Sequence, residues 1–170
     1  MGKVLVIDTS ILCVWLGVPD KETCGPEHDK WTQKRVADKI RSETGHDVTF
    51  VLPLASIIET GNHIAHSSLL RYELANRLGE MMRMSADTKS PWASFSDQNT
   101  LWQPEKIRKL ANTWPELASR GFSLGDATIK DVADYYSVSG FAVEILTGDQ
   151  ELKAYEPLKP VLVPRRRQRR

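Results

Sequence analysis

The sequence predicts an α/β protein, a three-layer α/β/α sandwich with a mostly parallel central sheet. Three observations carry that expectation. Short apolar runs, KVLVI at 3–7, VTFVLP at 48–53 and AVEILT at 142–147, are strand-length and rich in β-branched residues. Segments of helical periodicity separate them, the alternation of a parallel sheet covered on both faces. Asp8 and Asp149 follow two of these runs, and residues just beyond the carboxyl ends of such strands share a crevice.

The elements follow in order. TSILCVWL continues from the first strand as a helix, and Gly17, Pro19, Gly25 and Pro26 mark a loop. KWTQKRVADKIRSE, 30–43, is an amphipathic helix that stops before Gly45. After the second strand, 54–84 reads as predominantly helical, with Gly61 and the polar patch 66–68 as the points that would divide it. Residues 85–103 are polar but carry Trp92, Phe95 and Trp102, and read as an inserted loop or short irregular helix. Pro104 suits the first turn of a helix over 105–117. SLGDATIKDVADYY, 123–136, opens with a Ser-x-x-Asp capping pattern and continues as a helix. A strand at 142–147, a short helix from about Asp149 and a final strand PVLVP, 160–164, complete one domain over 1–164, followed by a basic tail at 165–170.

With 170 residues, 41% hydrophobic and 26% charged, the composition excludes a disordered or fibrous chain. The net charge of +1 conceals an asymmetry. Five of the 23 Lys and Arg residues lie in the terminal RRRQRR, which leaves 18 against 22 Asp and Glu, or −4, for 1–164. No apolar run is long enough to span a bilayer, and MGKVLVIDTS lacks the pattern of a secretory signal, so a cytoplasmic protein without a membrane partner is expected. Cys13 in an apolar run and Cys24 in a loop do not make a disulfide framework, and Cys24 with His28 lacks the second pair of a zinc site. The absence of a glycine-rich loop followed by Lys-Ser/Thr argues against P-loop ATPase chemistry.

Four acids carry the functional expectation. Each has a local structural role: Asp8 and Asp149 as helix caps, Asp126 in the capping box with Ser123, and Glu59 on a helix whose inward face includes Ile58. If their element termini share one sheet edge, however, Asp8, Glu59, Asp126 and Asp149 converge, and without a cation they repel one another. Mg2+ or Mn2+ would take such hard oxygen ligands, activate water and neutralise phosphate charge, which makes phosphodiester hydrolysis the natural chemistry.

In this order, VLVIDTSIL, ASIIETGNHI, LGDATIKDVA and ILTGDQEL resemble the four acidic landmarks of PIN-domain nucleases, over most of 3–163. The resemblance implies a compact α/β/α fold and a Mg2+- or Mn2+-dependent endoribonuclease that hydrolyses RNA through a cation-activated water. It makes Asp8, Glu59 and Asp126 the principal metal-site acids and Asp149 the acid that completes or tunes the site. Thr147 matches a polar residue two positions before the last acid, and Thr9 offers similar polar work beside Asp8. Such domains include toxins of bacterial toxin–antitoxin pairs, while others process cellular RNA or have lost catalysis. An inactive PIN-like domain that binds RNA or protein, and a nuclease acting on DNA or structured nucleic acid, are therefore the alternatives.

Further candidates surround these acids. His63 lies four residues after Glu59 on the same helical face, next to Asn62. Asp131 is about 140° around the helix from Asp126, a candidate to support the ligands from behind, while Asp134 is roughly 12 Å further along the axis and reads as a salt-bridge partner. Arg165, Arg166, Arg167, Arg169 and Arg170 would attract RNA phosphates in a salt-dependent way. Lys30, Lys34, Arg35, Lys39 and Arg41 offer a second basic face, and Trp92 and Trp102 either stack on unpaired bases or anchor the core. The expected partners are RNA, an antitoxin or other regulatory protein, and a second copy of the chain.

Overall fold

The computed structural model describes residues 2–158; the expected strand 160–164 and the arginines of the tail lie outside the described residues. The chain is mixed α/β. Three parallel strands, β1 Lys3–Ile7, β4 Val48–Val51 and β5 Ala142–Leu146, form a sheet in the order β4-β1-β5, with Val6 beside Val51 and Ile145, and Ile7 beside Leu146.

The continuous apolar run of β1 follows from its central position, because both of its faces are covered. Leu5 and Ile7 join a core with Ile11, Leu12 and Leu16 of α1 Thr9–Leu16, Val36 of α2 Gln33–Glu43, Ile57 and Ile64 of α3 Leu54–His66, and Leu74 and Leu78 of α4 Arg71–Ala86. Val4 and Val6 point the other way, into a core with Ala127, Ile129, Val132 and Ala133 of α6 Leu124–Val138, and Leu152 of α7 Gln150–Ala154. α5 Pro104–Ala118 packs on α6, with Pro104 in its first turn as expected. Burying each Val, Leu or Ile side chain among these stabilises the fold by about 1.5–3 kcal/mol before entropy is counted. Among the described residues, no helix is long and apolar enough to cross a membrane.

Several expectations are corrected in detail. The second helix begins at Gln33 rather than Lys30, because Trp31–Thr32 (β3) pairs with Thr23–Cys24 (β2) and the Thr32 hydroxyl caps α2 through Arg35 N–H. The helical region after β4 divides at 67–70, where Leu70 takes φ 58° and the Ser67 hydroxyl donates to Ile64 and Leu69 carbonyls; Gly61 stays inside α3. Part of the expected insertion pairs with the sheet. Phe50 N–H donates to Pro91 O and Ala93 N–H to Phe50 O, a parallel bridge on the outer edge of β4. Trp92 is buried there, stacked on Trp15 at 6.1 Å and edge-on to Phe50 at 5.7 Å, so it anchors the core. The segment then runs through a 3-10 stretch, Phe95–Trp102, ending with Trp102 42% exposed. Ile58 points outward, at 53% exposure, rather than into the core.

Candidate active site

Parallel pairing of β1 with β5 sends the chain out of both strands side by side. Asp8 follows Ile7, Thr147 follows Leu146, and Asp8 N–H donates to Leu146 O at 3.0 Å. Glu59 comes from the second turn of α3 and Asp126 from the first turn of α6. All four predicted acids line one cleft of about 490 Å³, together with Thr9, Ser10, Lys21, His63 and Ser123. A larger hollow of about 590 Å³ lies against Glu59 between α3, α5 and α6, but its walls are almost wholly apolar and offer no acid–base or ligating set beyond Glu59 itself. The smaller cleft is the one that gathers carboxylates, hydroxyls, an imidazole and an ammonium group.

Asp8 is the floor of this cleft, only 4% exposed. Its Oδ1 accepts from Thr9 N–H at 2.6 Å, and its Oδ2 accepts from the Ser10 hydroxyl at 2.6 Å and the Thr147 hydroxyl at 2.8 Å. Burial pushes its carboxyl above the ordinary carboxylate range and the charge of Asp126 adds to the push, against the hydrogen bonds from Ser10 and Thr147. The same acid caps α1, so one side chain both ends the strand-to-helix turn and lines the cleft.

The other acids are held by short contacts, one across the chain and two local. Glu59 Oε2 accepts from the Thr9 hydroxyl at 2.8 Å. Asp126 Oδ2 accepts from the Ser123 hydroxyl at 2.6 Å, while Ser123 Oγ accepts Asp126 N–H at 3.0 Å and caps α6. Asp149 caps α7, its Oδ1 accepting from Glu151 and Leu152 N–H, and its own N–H donates to Thr147 Oγ1 at 2.9 Å. The Thr147 hydroxyl thus links the ends of β1 and β5. Among the described residues, no three His, Cys, Asp or Glu side chains form a ready-made metal shell.

The remaining candidates divide. His63 lines the cleft, whereas exposed Asn62 does not and offers its carbonyl to the His66 ring. Asp131 belongs to a separate hollow with Lys106, Lys109 and Asp134, which the 140° rotation from Asp126 around α6 requires. Burial pushes its carboxyl up, with Lys130 pulling it down. Asp134 pairs with Lys130 at 2.7 Å. The second basic face is largely neutralised: Lys30 pairs with Glu27, Lys34 and Arg41 with Asp38, Arg35 with Asp29, and Lys39 with Glu43 and Glu144.

Sequence reasoning missed Ser10, whose hydroxyl also accepts Gly148 N–H at 3.0 Å and so ties both strand ends together. It missed Lys21, which the loop after α1 brings to the cleft with Asp20, Thr23 and Cys24. The IDTS run could have pointed to Ser10, because hydroxyls beside a capping acid compete for its oxygens. No periodic signal marks Lys21. No protein-family model, curated protein or solved structure matches the chain.

Proposed function

We propose that this chain is a metal-dependent ribonuclease of PIN-domain type, with the acid cleft as its active centre. The supporting observation is that Asp8, Glu59, Asp126 and Asp149, from four separate chain regions, line one cleft beyond the carboxyl ends of β1 and β5. Carboxylate oxygens are the hard donors that Mg2+ and Mn2+ take, and the mutual charge burden on Asp8 and Asp126 is what a cation relieves. The donor set fits on those grounds, and these four acids would hold the ion. When bound, such an ion supplies charge neutralisation at a phosphate oxygen and lowers the pKa of water.

The protein's own groups do the rest. Ser10 and Thr147 hydrogen bonds favour the ionised form of Asp8, Thr9 orients Glu59 and Ser123 orients Asp126. In this reading Lys21, which lines the cleft, brings positive charge to an entering phosphate, and His63, which lines it too, is the group that would exchange a proton with a leaving oxygen.

The test is incubation of purified protein with single-stranded RNA, structured RNA and matched DNA in Mg2+ or Mn2+, followed by mapping of fragment ends. Cation-dependent RNA cleavage is expected, abolished by EDTA and by Asp8→Ala with Asp126→Ala. Cleavage that survives either treatment overturns the mechanism, and cleavage of DNA alone overturns the substrate. A second reading, a non-cleaving PIN-like binding domain, is favoured by one observation: each of the four carboxylates already accepts a hydrogen bond within the chain. RNA binding without turnover would decide for it.

A further inference from the structure

Glu59 reaches from α3 to the first turn of α6, and what receives it there is an absence. A Cβ on Gly125 would stand 2.0 Å from Glu59 Oε1, 2.9 Å from its Cδ and 3.4 Å from Oε2. The backbone gives no separate reason for glycine: Gly125 is the second residue of α6 and is not among the positive-φ glycines. An alanine at such a position ordinarily favours a helix over glycine. Room for Glu59 is what this glycine contributes.

We propose that Gly125 is a positioning residue for Glu59. Its bare Cα lets the carboxylate lie against α6, one residue from Asp126, with Oε2 on the Thr9 hydroxyl. A methyl group at 125 displaces the far end of the Glu59 side chain, breaks the Thr9 contact and withdraws one acid from the cleft while the backbone stays intact. The consequence for catalysis rests on the ribonuclease reading; the steric dependence of Glu59 on Gly125 does not.

The experiment has two arms. Melting temperatures of the wild type, Gly125→Ala, Glu59→Ala and the double variant form a cycle that needs no metal or substrate. In the Glu59→Ala background the Gly125→Ala change is expected to raise Tm, and its shift is expected to be about 2–4 °C more favourable than in the wild type, the equivalent of one lost contact in a chain of this size. Equal shifts in the two backgrounds overturn the proposal, whatever the protein does to RNA. The second arm is calorimetric titration with Mn2+, alongside cleavage of a single-stranded RNA. Gly125→Ala is expected to weaken Mn2+ binding by about tenfold or more, and Gly125→Ala with Glu59→Asp to recover part of it, since the shorter side chain clears the methyl. Coupled melting shifts with unchanged Mn2+ affinity in Gly125→Ala overturn the role toward the cation. A wild type that neither binds Mn2+ nor cleaves RNA overturns the ribonuclease reading alone, leaving the melting cycle to decide the steric proposal.

Discussion

The Thr147 hydroxyl donates a 2.8 Å hydrogen bond to Asp8 Oδ2, joining the ends of two adjacent strands that are 139 residues apart in the chain. The same oxygen atom of Thr147 accepts Asp149 N–H, so one side chain orients the buried acid and fixes the turn that carries the exposed one. Asp8 is therefore a buried carboxyl held by four side-chain and backbone donors, with burial pushing its pKa up against them.

From this follows a pH-dependent prediction for Asp8→Asn. The folded-state pKa of Asp8 is raised above its ordinary value of 3.8, chiefly by burial. The native state then binds the proton more tightly than the unfolded chain. The stability that protonation confers is fully present below about pH 4 and is lost as pH rises through the folded pKa. Asparagine removes the charge and remains a good N-cap. Thermal melts from pH 4 to 8 should give a higher Tm for Asp8→Asn at pH 7, with the advantage shrinking towards pH 4. A Tm below the wild type's at pH 7 would show that the hydrogen bonds outweigh desolvation.

Ser123 is expected to matter twice. Its Oγ accepts Asp126 N–H and its hydroxyl donates to Asp126 Oδ2. Ser123→Ala should cost about 1 kcal/mol, the usual loss of an N-cap, seen as a Tm lower by about 2–4 °C. It should also lower kcat for RNA cleavage by more than it changes KM, because Asp126 loses its orienting donor. A glycine at 123 should recover most of the stability without the rate, which separates capping from orientation.

Much of the fold was legible because strand-length, β-branched runs alternate along the chain with stretches of helical periodicity. The convergence of Asp8 and Asp149 was legible for the same reason, since parallel neighbours deliver both to one edge. The segment around Trp92 was not, because its pairing with Phe50 uses backbone groups of Pro91 and Ala93, and serine-rich spacing hides a bridge of two hydrogen bonds. Ile58 misled because α3 turns that side to the apolar hollow beside Glu59 rather than to the core. Lys21 reaches the cleft through loop placement and Gly125 makes room for Glu59 through a missing atom, neither of which leaves a periodic trace.

Away from the cleft, Lys3 and Lys39 bridge Glu43 of α2 and Glu144 of β5. Lys39 lies 2.7 Å from Glu43 and 3.0 Å from Glu144, and Lys3 contacts both acids. Burial alone would raise the two carboxyls, but hydrogen bonds from the lysines outweigh it and leave both below their ordinary value of 4.5. A lowered carboxyl pKa contributes stability above the unfolded value and loses it as pH falls through the folded one. Glu144→Gln should therefore cost about 1–2 kcal/mol at pH 7, and the deficit should fade below about pH 4. Since none of these four residues lines the acid cleft, the cleavage rate at 25 °C should be unchanged.

The arginine tail gives a prediction that depends on charge alone. Replacing Arg165, Arg166, Arg167, Arg169 and Arg170 with glutamine removes five cations from a chain whose residues 1–164 carry −4. If each contacts one phosphate of single-stranded RNA, the slope of log K against log salt should become shallower by about 0.7 per contact, up to about 3.5 in all. The loss should appear in RNA affinity at low salt and nearly vanish at high salt, where counterion release drives little binding. The chemical step at saturating RNA should hold, because Asp8, Glu59, Asp126 and Asp149 remain in place. A comparable fall in the single-turnover rate at saturation would mean that the tail acts on the reacting phosphate rather than on binding.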